Sequence, residues 1–307
     1  NSQLPTIKWF TQNPSAAQTV SGTRASLFHN GDFYDNVFVR LRGSAGQRGN
    51  RSLPNLKFDF NRGYDYQFSP DHPRVTEINI NSPRWDKSYI REILAFETFA
   101  DAGVAAPISF LVRMEQNGQF FAVGDFVEQV DEDFLRRHGL DPNGAMYKST
   151  RHNLEYGQTG DPFPKKTRSW ESSESDLNAL IEGIRPTTSN RSRYLFDNVN
   201  VPQVINWMAA GVVLNDYDRQ IHNFYVYRDS DGNYEWSVFP WDKDLTFGTS
   251  FSPNAFPGDY LWTDDDVWGG GSPSHPFNGD SSHRWLGGSD FEYNRMIDAM
   301  LDSPPIQ

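Results

Sequence analysis

Apolar and polar residues alternate along several short stretches in the first third of the chain. The alternation covers Val37–Arg42 and Leu56–Phe60, and Glu77–Ile80 repeats it over a shorter length. A period of two residues is typical of a β-strand with one buried face. The pattern therefore predicts strands here, with a turn at Phe28–Asp32 and a glycine-rich loop at Gly43–Asn50.

A helical period replaces this alternation between Asp86 and Ala102. Apolar residues recur there at steps of four, three and four, at Tyr89, Ile93, Phe96 and Ala100. This spacing places them on one face of a helix, and Gly103 is the expected C-terminal stop. A second helix is expected at Val201–Leu214, where apolar residues lie nearly all round, as in a buried helix.

Two hairpins are predicted from pairs of apolar stretches that flank turn residues. The first joins Ile108–Met114 to Phe120–Val127 around Asn117-Gly118, a dipeptide that favours tight hairpin turns. The second joins Phe224–Tyr227 to Tyr234–Phe239. Each hairpin brings together the chain segments that precede and follow it.

Three further stretches complete the pattern. Residues 150–200 are polar with few periodic signals, and residues 249–290 are rich in Gly, Ser, Pro, Asp and Trp. We expect loops in both, because long inserts of this kind inside a compact chain are usually functional or mobile. Phe291–Leu301 is expected to form a final helix.

The densest set of chemically active residue types lies at the two ends of the second hairpin. Asp216, Asp218 and Asn223 precede it, and Asp242 and Asp244 follow it. Four carboxylates and an amide brought together repel one another unless a cation lies among them. Oxygen ligands favour Mg²⁺, Mn²⁺ or Ca²⁺ over zinc. The alternative is a solvated rim of Asp caps and turn formers.

Charge and composition exclude several classes of function. The chain has 28 basic and 40 acidic residues, a net charge of −12, which argues against a nucleic-acid binder held by phosphate contacts. It has no cysteine, which excludes a disulfide scaffold and thiol catalysis. No apolar run approaches the length of a membrane span. The chain opens at Asn1, without Met, and we interpret it as a piece of a longer protein.

The spacing around the hairpin is similar to that of a kinase catalytic loop. Asp218 precedes Asn223 by five positions, and a hairpin then leads to Asp242 and Asp244 shortly before Phe247-Gly248. In protein kinases a catalytic Asp precedes a metal-binding Asn by five, and a hairpin links that Asn to a metal-binding Asp.

With these motifs the sequence resembles the CotH kinase family, an atypical group similar to protein kinases. The residues that carry the resemblance are Arg48–Ser52 with Lys57, Asp86–Gly103, Gly124–Glu128 with Phe134-Leu135, Met146–Lys148, Asp218–Tyr227 and Pro240–Gly248. The motifs run in order across roughly residues 35 to 300.

The resemblance implies an α+β fold with two kinase-like lobes, a β-rich N-lobe at 1–128 and a mainly helical C-lobe at 129–307. It also implies ATP with a divalent metal and phosphoryl transfer to Ser or Thr of a protein substrate. Asp218 matches the catalytic Asp and Asn223 the metal-binding Asn. Asp242 resembles the main metal-binding Asp, with Asp244 as the alternative.

Further residues match positions around the nucleotide. Lys57 lies where the phosphate-contacting Lys is expected, and Glu92 could pair with it. Glu128 lies at the connection between lobes, where adenine would bind, and Arg48 is a candidate phosphate contact. The loop Gly43–Asn50 departs from the G-x-G-x-x-G pattern, and the segment after it is compressed, so Lys148 is the substitute for Lys57.

Other functions remain open at this stage. A kinase-like fold can lose phosphoryl transfer or use ATP for AMP or glutamate transfer. The many Trp, Tyr and Asp residues on loops, including the stretch from Trp262 to Trp285, also fit a secreted carbohydrate-binding or carbohydrate-active module. We expect a monomer without a membrane span, in a bacterial surface or secreted setting.

Overall fold

The chain adopts a mixed α+β fold. A computed structural model describes residues 2–43, 54–83, 86–150, 154, 163–216, 223–247 and 294–306. The glycine-rich loop from 44 onward and the whole of the predicted loop at 249–290 lie outside these ranges.

A closed seven-stranded sheet forms the first part of the fold. Its strands are β1 (Thr6–Phe10), β2 (Thr23–His29), β3 (Asp32–Leu41), β4 (Leu56–Asp59), β5 (Glu77–Asn81), β6 (Ser109–Gln116) and β7 (Gln119–Glu128). Their order around the sheet is β1-β2-β3-β4-β5-β7-β6. Neighbours are antiparallel, except that β1 and β6 close the sheet in parallel, with Thr6 opposite Arg113.

The inside of the closed sheet is an apolar core. Leu56 and Phe58 of β4 lie opposite Ile80 and Ile78 of β5, and all four are fully buried. The alternate residues of these strands, including Lys57, therefore lie on the outer face. This is the outcome that the alternating sequence pattern predicted for β3, β4 and β5.

Both Asn-Gly turns form where the sequence predicts them. Asn117 and Gly118 have φ angles of 51° and 79° and join β6 to β7, and Asn30 and Gly31 have 49° and 94° between β2 and β3. Two successive left-handed residues match the twist of paired strands. The first hairpin and the turn within Phe28–Asp32 are thereby confirmed.

The helix predicted from Asp86 is shorter at its start. Helix α2 covers Arg91–Asp101. The carboxylate of Asp86 instead accepts hydrogen bonds from the amides of Ser88 and Arg91, and Tyr89 has a left-handed φ of 64°, which interrupts a helix. The predicted stop at Gly103 is confirmed, with a φ of 79°.

The second part of the fold combines a small sheet with helices. The three-stranded sheet contains β8 (Ala145–Ser149), β9 (Phe224–Arg228) and β10 (Trp236–Pro240), with β9 in the middle. The short helices α1 (Pro14–Ala17) and α3 (Glu132–Arg137) lie beside the first sheet's strands in sequence, and the later helices are α4 (Ser175–Gly183), α5 (Arg191–Asn198), α6 (Val201–Val213) and α7 (Arg295–Leu301). The second hairpin and the buried helix α6 confirm the sequence pattern.

The expectation of a weakly structured stretch at 150–200 is wrong in its second half, where α4 and α5 form. The buried residues of α4 include Leu177, Leu180 and Ile181, at steps of three and one. These helices are too short for a helical period to stand out from the polar residues around them.

By contact density the chain forms two compact units. Unit 1 contains Asn1–Ile93 and Pro107–Gly139, and unit 2 contains Leu94–Ala106 and Leu140–Gln307. Within the described ranges, no helix has the length and apolar character that crossing a membrane requires.

Candidate functional site

One edge of the small sheet in unit 2 collects the residues that the sequence singles out. Ser149 ends β8, Phe224 begins β9 and Pro240 ends β10, and these three residues lie side by side in register. The next residues outward are Asn223 and Trp241, and the Trp241 amide donates to the Asn223 carbonyl at 3.0 Å. The hairpin thus places the two predicted metal-ligating segments next to each other.

Asn223 and Asp242 both have an unusual backbone at this edge. Their φ angles are 62° and 54°, in the left-handed region that few non-glycine residues adopt. The side-chain amide of Asn223 donates a long hydrogen bond, 3.4 Å, to the carbonyl of Asp242. Strained backbone held by surrounding structure is common at active sites. The predicted proximity of Asn223 and Asp242 is therefore present.

Lys148 lies on the face of the small sheet that also carries Tyr225. It is opposite Tyr225 in register, and its ammonium lies 4.6 Å from the ring centre of Trp241 and 5.6 Å from that of Tyr225. The two rings meet edge to face. Aromatic faces attract a cation through their quadrupole, so the rings hold the ammonium next to Trp241, the residue before Asp242.

Asp216 differs from its sequence expectation. Its carboxylate lies 2.8 Å from the ammonium of Lys243, and both side chains are almost fully buried, at 1% and 0% exposed. The sequence pattern places Asp216 among carboxylates that need a metal, but a lysine of the chain balances its charge. The sequence offers one indication that Lys243 is functional, its position between two aspartates. It does not show the partner of Lys243, because that depends on the fold.

The donor chemistry at the edge suits a hard divalent cation. Asn223, Asp242 and Asp244 offer only oxygen and amide groups, as Mg²⁺ prefers. Among the described residues, no group of three or more His, Asp or Glu side chains stands close enough to hold a metal ion. Asp218, the candidate catalytic residue, lies outside the described residues. The fit therefore rests on donor type and on the Asn223–Asp242 contact.

Lys57 has its partners within unit 1. Its ammonium lies 2.5 Å from the carboxylate of Glu77 and 3.3 Å from the side-chain oxygen of Gln129. Burial raises the pKa of Glu77, and the charge of Lys57 acts against that rise. The expected pairing of Lys57 with Glu92 is not formed in the described structure, because β5 places Glu77 beside Lys57.

Glu92 belongs to a different buried polar cluster. Its carboxylate accepts a hydrogen bond from the side chain of Asn81 at 3.1 Å, and Asn81 accepts one from Arg42 at 2.6 Å. Asp125 lies opposite Asn81, and one of its buried carboxylate oxygens has no hydrogen-bond partner. Burial and the charges of Glu92 and Asp86 raise the pKa of Asp125 to about 8.

The carboxylate of Glu128 is held by residues of unit 1. Both of its carboxylate oxygens accept hydrogen bonds from Arg137, at 2.8 and 2.6 Å, and one also accepts the Ile108 amide at 3.0 Å. Its side chain therefore stabilises the junction of β7 and α3. Arg48, the candidate phosphate contact, lies outside the described residues, as does the stretch from Trp262 to Trp285.

Comparison with known proteins agrees with the motifs at this edge. The family model described as "CotH kinase protein" matches residues 39–275. The chain is also similar to the inner spore coat protein H of Bacillus subtilis (strain 168), with 27% identity over 203 residues. That match covers 60% of this chain and 54% of the relative, so the chain spans about half the length of the curated protein. Because the family model covers well over half of the chain, the chain belongs to the CotH kinase protein family.

Proposed function

We propose that this chain is an ATP- and divalent-metal-dependent phosphotransferase that phosphorylates Ser or Thr of a protein. The observation that carries the proposal is the contact of Asn223 with Asp242 at the edge of the small sheet, with strained backbone at both residues. Asp218 precedes Asn223 by five positions, the spacing of a kinase catalytic loop.

Each residue of the edge has a role in this proposal. Asn223 and Asp242 hold the metal, with Asp244 as a third oxygen donor. Asp218 accepts the proton of the acceptor hydroxyl or orients that hydroxyl. Phosphoryl transfer depends mainly on positioning of the reactants and on neutralisation of phosphate charge. A bound metal would supply the neutralisation.

Lys148 is the phosphate-contacting lysine in this proposal. Its ammonium lies within 4.6 Å of the ring of Trp241, the neighbour of Asp242, whereas the ammonium of Lys57 is already paired with Glu77 at 2.5 Å. The rings of Trp241 and Tyr225 attract this ammonium and place it near the segment that carries Asp242.

The wider setting is proposed from family membership. We propose a kinase-like fold with an N-lobe at 1–128 and a C-lobe at 129–307, with the nucleotide bound by residues of the motifs named above. The similar Bacillus subtilis protein is named as an inner spore coat protein, which supports a secreted or cell-surface location for this chain. We propose a monomer with a protein partner as substrate.

A phosphate-transfer assay tests the proposal. The chain is incubated with Mg²⁺, ATP labelled in the γ-phosphate, and dephosphorylated casein as a general acceptor, and autophosphorylation is followed in parallel. We expect labelled protein with the wild type and at least a ~100-fold lower rate with Asp218→Asn and with Asp242→Asn. The matched control is Asp197→Asn, at an exposed carboxylate of α5, which should keep the wild-type rate.

Other outcomes identify the competing functions. Label that transfers only from the α-phosphate would indicate AMP transfer and contradict the kinase proposal. Thermal stabilisation by oligosaccharides but not by Mg·ATP would indicate a carbohydrate-binding module. Stabilisation by Mg·ATP with no transfer to any acceptor would indicate a pseudokinase.

A further inference from the structure

A buried ion pair connects the two segments that meet at the proposed active site. Lys243 lies between Asp242 and Asp244, and its ammonium is 2.8 Å from the carboxylate of Asp216. Asp216 lies two positions before Asp218. The pair therefore joins the segment that leads to the proposed catalytic residue to the segment that carries the proposed metal ligands.

Backbone contacts fix both segments around this pair. Helix α6 ends in a Schellman motif, in which the Asp216 amide donates to Gly211 and the Asn215 amide donates to Val212, with Asn215 at a φ of 46°. The amide of Phe247 donates to the carbonyl of Leu214 at 2.6 Å. The end of α6 and the segment after β10 are thus attached at two points.

The side-chain pair is not needed for burial of the segment. Removing two charges from water is costly, and apolar side chains of similar volume often stabilise such a position as well or better. What this ion pair adds is a fixed distance between two particular groups. The hydroxyl of Thr246 donates to the carbonyl of Lys243 at 3.0 Å, which also fixes the backbone from which the lysine extends.

We propose that Asp216 and Lys243 are positioning residues that fix the proposed catalytic segment against the proposed metal-binding segment. The inference rests on the proposed function for its catalytic consequence. Neither side chain contacts a reacting atom in this scheme. Their effect is to fix Asp216, from which the chain continues to Asp218, against the segment that carries Asp242, and to keep the charge of Asp216 from adding to that of the metal ligands.

The test replaces the pair with apolar side chains of similar size, in the double variant Asp216→Leu with Lys243→Met. Because both charges of the pair are removed together, the variant should unfold cooperatively at a temperature close to that of the wild type. We expect its kcat for γ-phosphate transfer to fall at least ~10-fold while KM for the protein acceptor changes by less than ~3-fold. The expected affinity for Mn²⁺, measured by electron paramagnetic resonance, also falls at least ~10-fold.

Two single variants provide the controls. Asp216→Glu keeps the charge pair and should retain at least half of the wild-type kcat and Mn²⁺ affinity. Asp298→Asn removes a carboxylate from another largely buried ion pair of unit 2, with Arg191. It should lower the unfolding temperature without changing Mn²⁺ affinity, which separates positioning from stability.

Each outcome decides the inference. Wild-type kcat and Mn²⁺ affinity in the folded double variant overturn it. If the double variant does not fold, Asp216→Asn takes its place, and an unchanged Mn²⁺ affinity there overturns it equally. A wild-type chain that binds Mn²⁺ but transfers no phosphate refutes the proposed function alone, and the Mn²⁺ comparison still decides the positioning role. A wild-type chain that binds no Mn²⁺ refutes both.

Discussion

Lys148 and Lys57 carry the same charge, but their ammonium groups have different surroundings. The ammonium of Lys57 lies between the oxygens of Glu77 and Gln129 on the outer face of the closed sheet. That of Lys148 lies over the rings of Trp241 and Tyr225. The two lysines therefore contribute to different parts of the fold, Lys57 to the outer face of the closed sheet and Lys148 to the end of the small sheet where Asn223 and Asp242 meet. The proposed function assigns the phosphate contact to Lys148.

Exchanging each lysine for methionine should therefore affect different properties, nucleotide binding for Lys148 and stability for Lys57. Lys148→Met should raise KM for Mg·ATP at least ~10-fold, with a loss of stability of only about 1 kcal/mol from the cation–π contacts. Steady-state kinetics and urea unfolding measure the two effects. An unchanged KM would contradict the role of Lys148.

Lys57→Met should act mainly on stability. It leaves the partly buried Glu77 without its cation, and the expected loss at pH 7 is about 1–3 kcal/mol. Lys57 holds the pKa of Glu77 lower than burial alone would set it, so the variant raises that pKa further. The native variant then takes up a proton more readily, and its deficit should shrink as the pH falls toward 5. Urea unfolding at pH 5 and pH 7 measures this, and a deficit independent of pH would contradict it.

The contacts at the residue scale could be predicted only where local geometry forces them. Asn223 and Asp242 meet because a hairpin in register must bring its ends together, which the sequence shows. The partner of Lys243 could not be predicted, because it depends on where α6 ends and on the left-handed turn at Asn215. Likewise, the sequence places Glu92 on a helix but does not show that Glu77 reaches Lys57 first.

At the scale of elements, the end of α6 determines where the proposed catalytic segment begins. The helix is apolar and buried along Val204, Trp207 and Met208, and its Schellman motif turns the chain toward Asp216. The turn requires a left-handed residue at Asn215, a conformation that Asn tolerates better than most side chains.

A pair of substitutions at Asn215 tests this dependence. Asn215→Gly adopts the same backbone freely and should change the free energy of unfolding by only a few tenths of a kcal/mol. Asn215→Val, with its branched side chain, should cost about 1–2 kcal/mol more and lower Mn²⁺ affinity as well. Urea unfolding and Mn²⁺ titration of both variants provide the comparison. Equal stabilities would show that the turn does not control the segment.

Elements with strong periodicity could be predicted from the sequence, and short ones could not. Both hairpins, α6 and most of α2 follow from repeated apolar spacing and turn residues. Helices α4 and α5 have too few turns for a period to emerge from polar surroundings, and Tyr89 ends the predicted first turn of α2 by adopting a positive φ. The parallel closure of β1 on β6 has no local signal, because its contacts join distant segments.

At the scale of the whole molecule, the acidic excess includes carboxylates that burial keeps protonated. Asp125 is buried and Asp131 is half-buried, and their loss of contact with water, together with neighbouring carboxylates, raises the pKa of each to about 8. Their ordinary value is 3.8. Between pH 4 and pH 8 the folded chain therefore holds protons that the unfolded chain releases. These groups make stability fall as the pH rises through this window.

Asp125→Asn should remove one part of this dependence. The amide carries no charge to bury, so the variant should be more stable than the wild type, and its advantage should grow by up to about 1.4 kcal/mol per pH unit between pH 5 and pH 8. Urea unfolding across this range measures it, with Asp197→Asn as the exposed control. A constant difference at all pH values would show that Asp125 is ionised in the folded chain.

The closed sheet of unit 1 also imposes an order on folding. Its seam joins Thr6 to Arg113, a separation of 107 positions, whereas the successive strands from β1 to β5 each pair with the next one along the chain. Local hairpins form early because little loop entropy opposes them, and distant pairings form late. β1 can therefore pair with β2 early, but its other edge is covered only after β6 has been synthesised. Until then that edge is open to pairing with another chain.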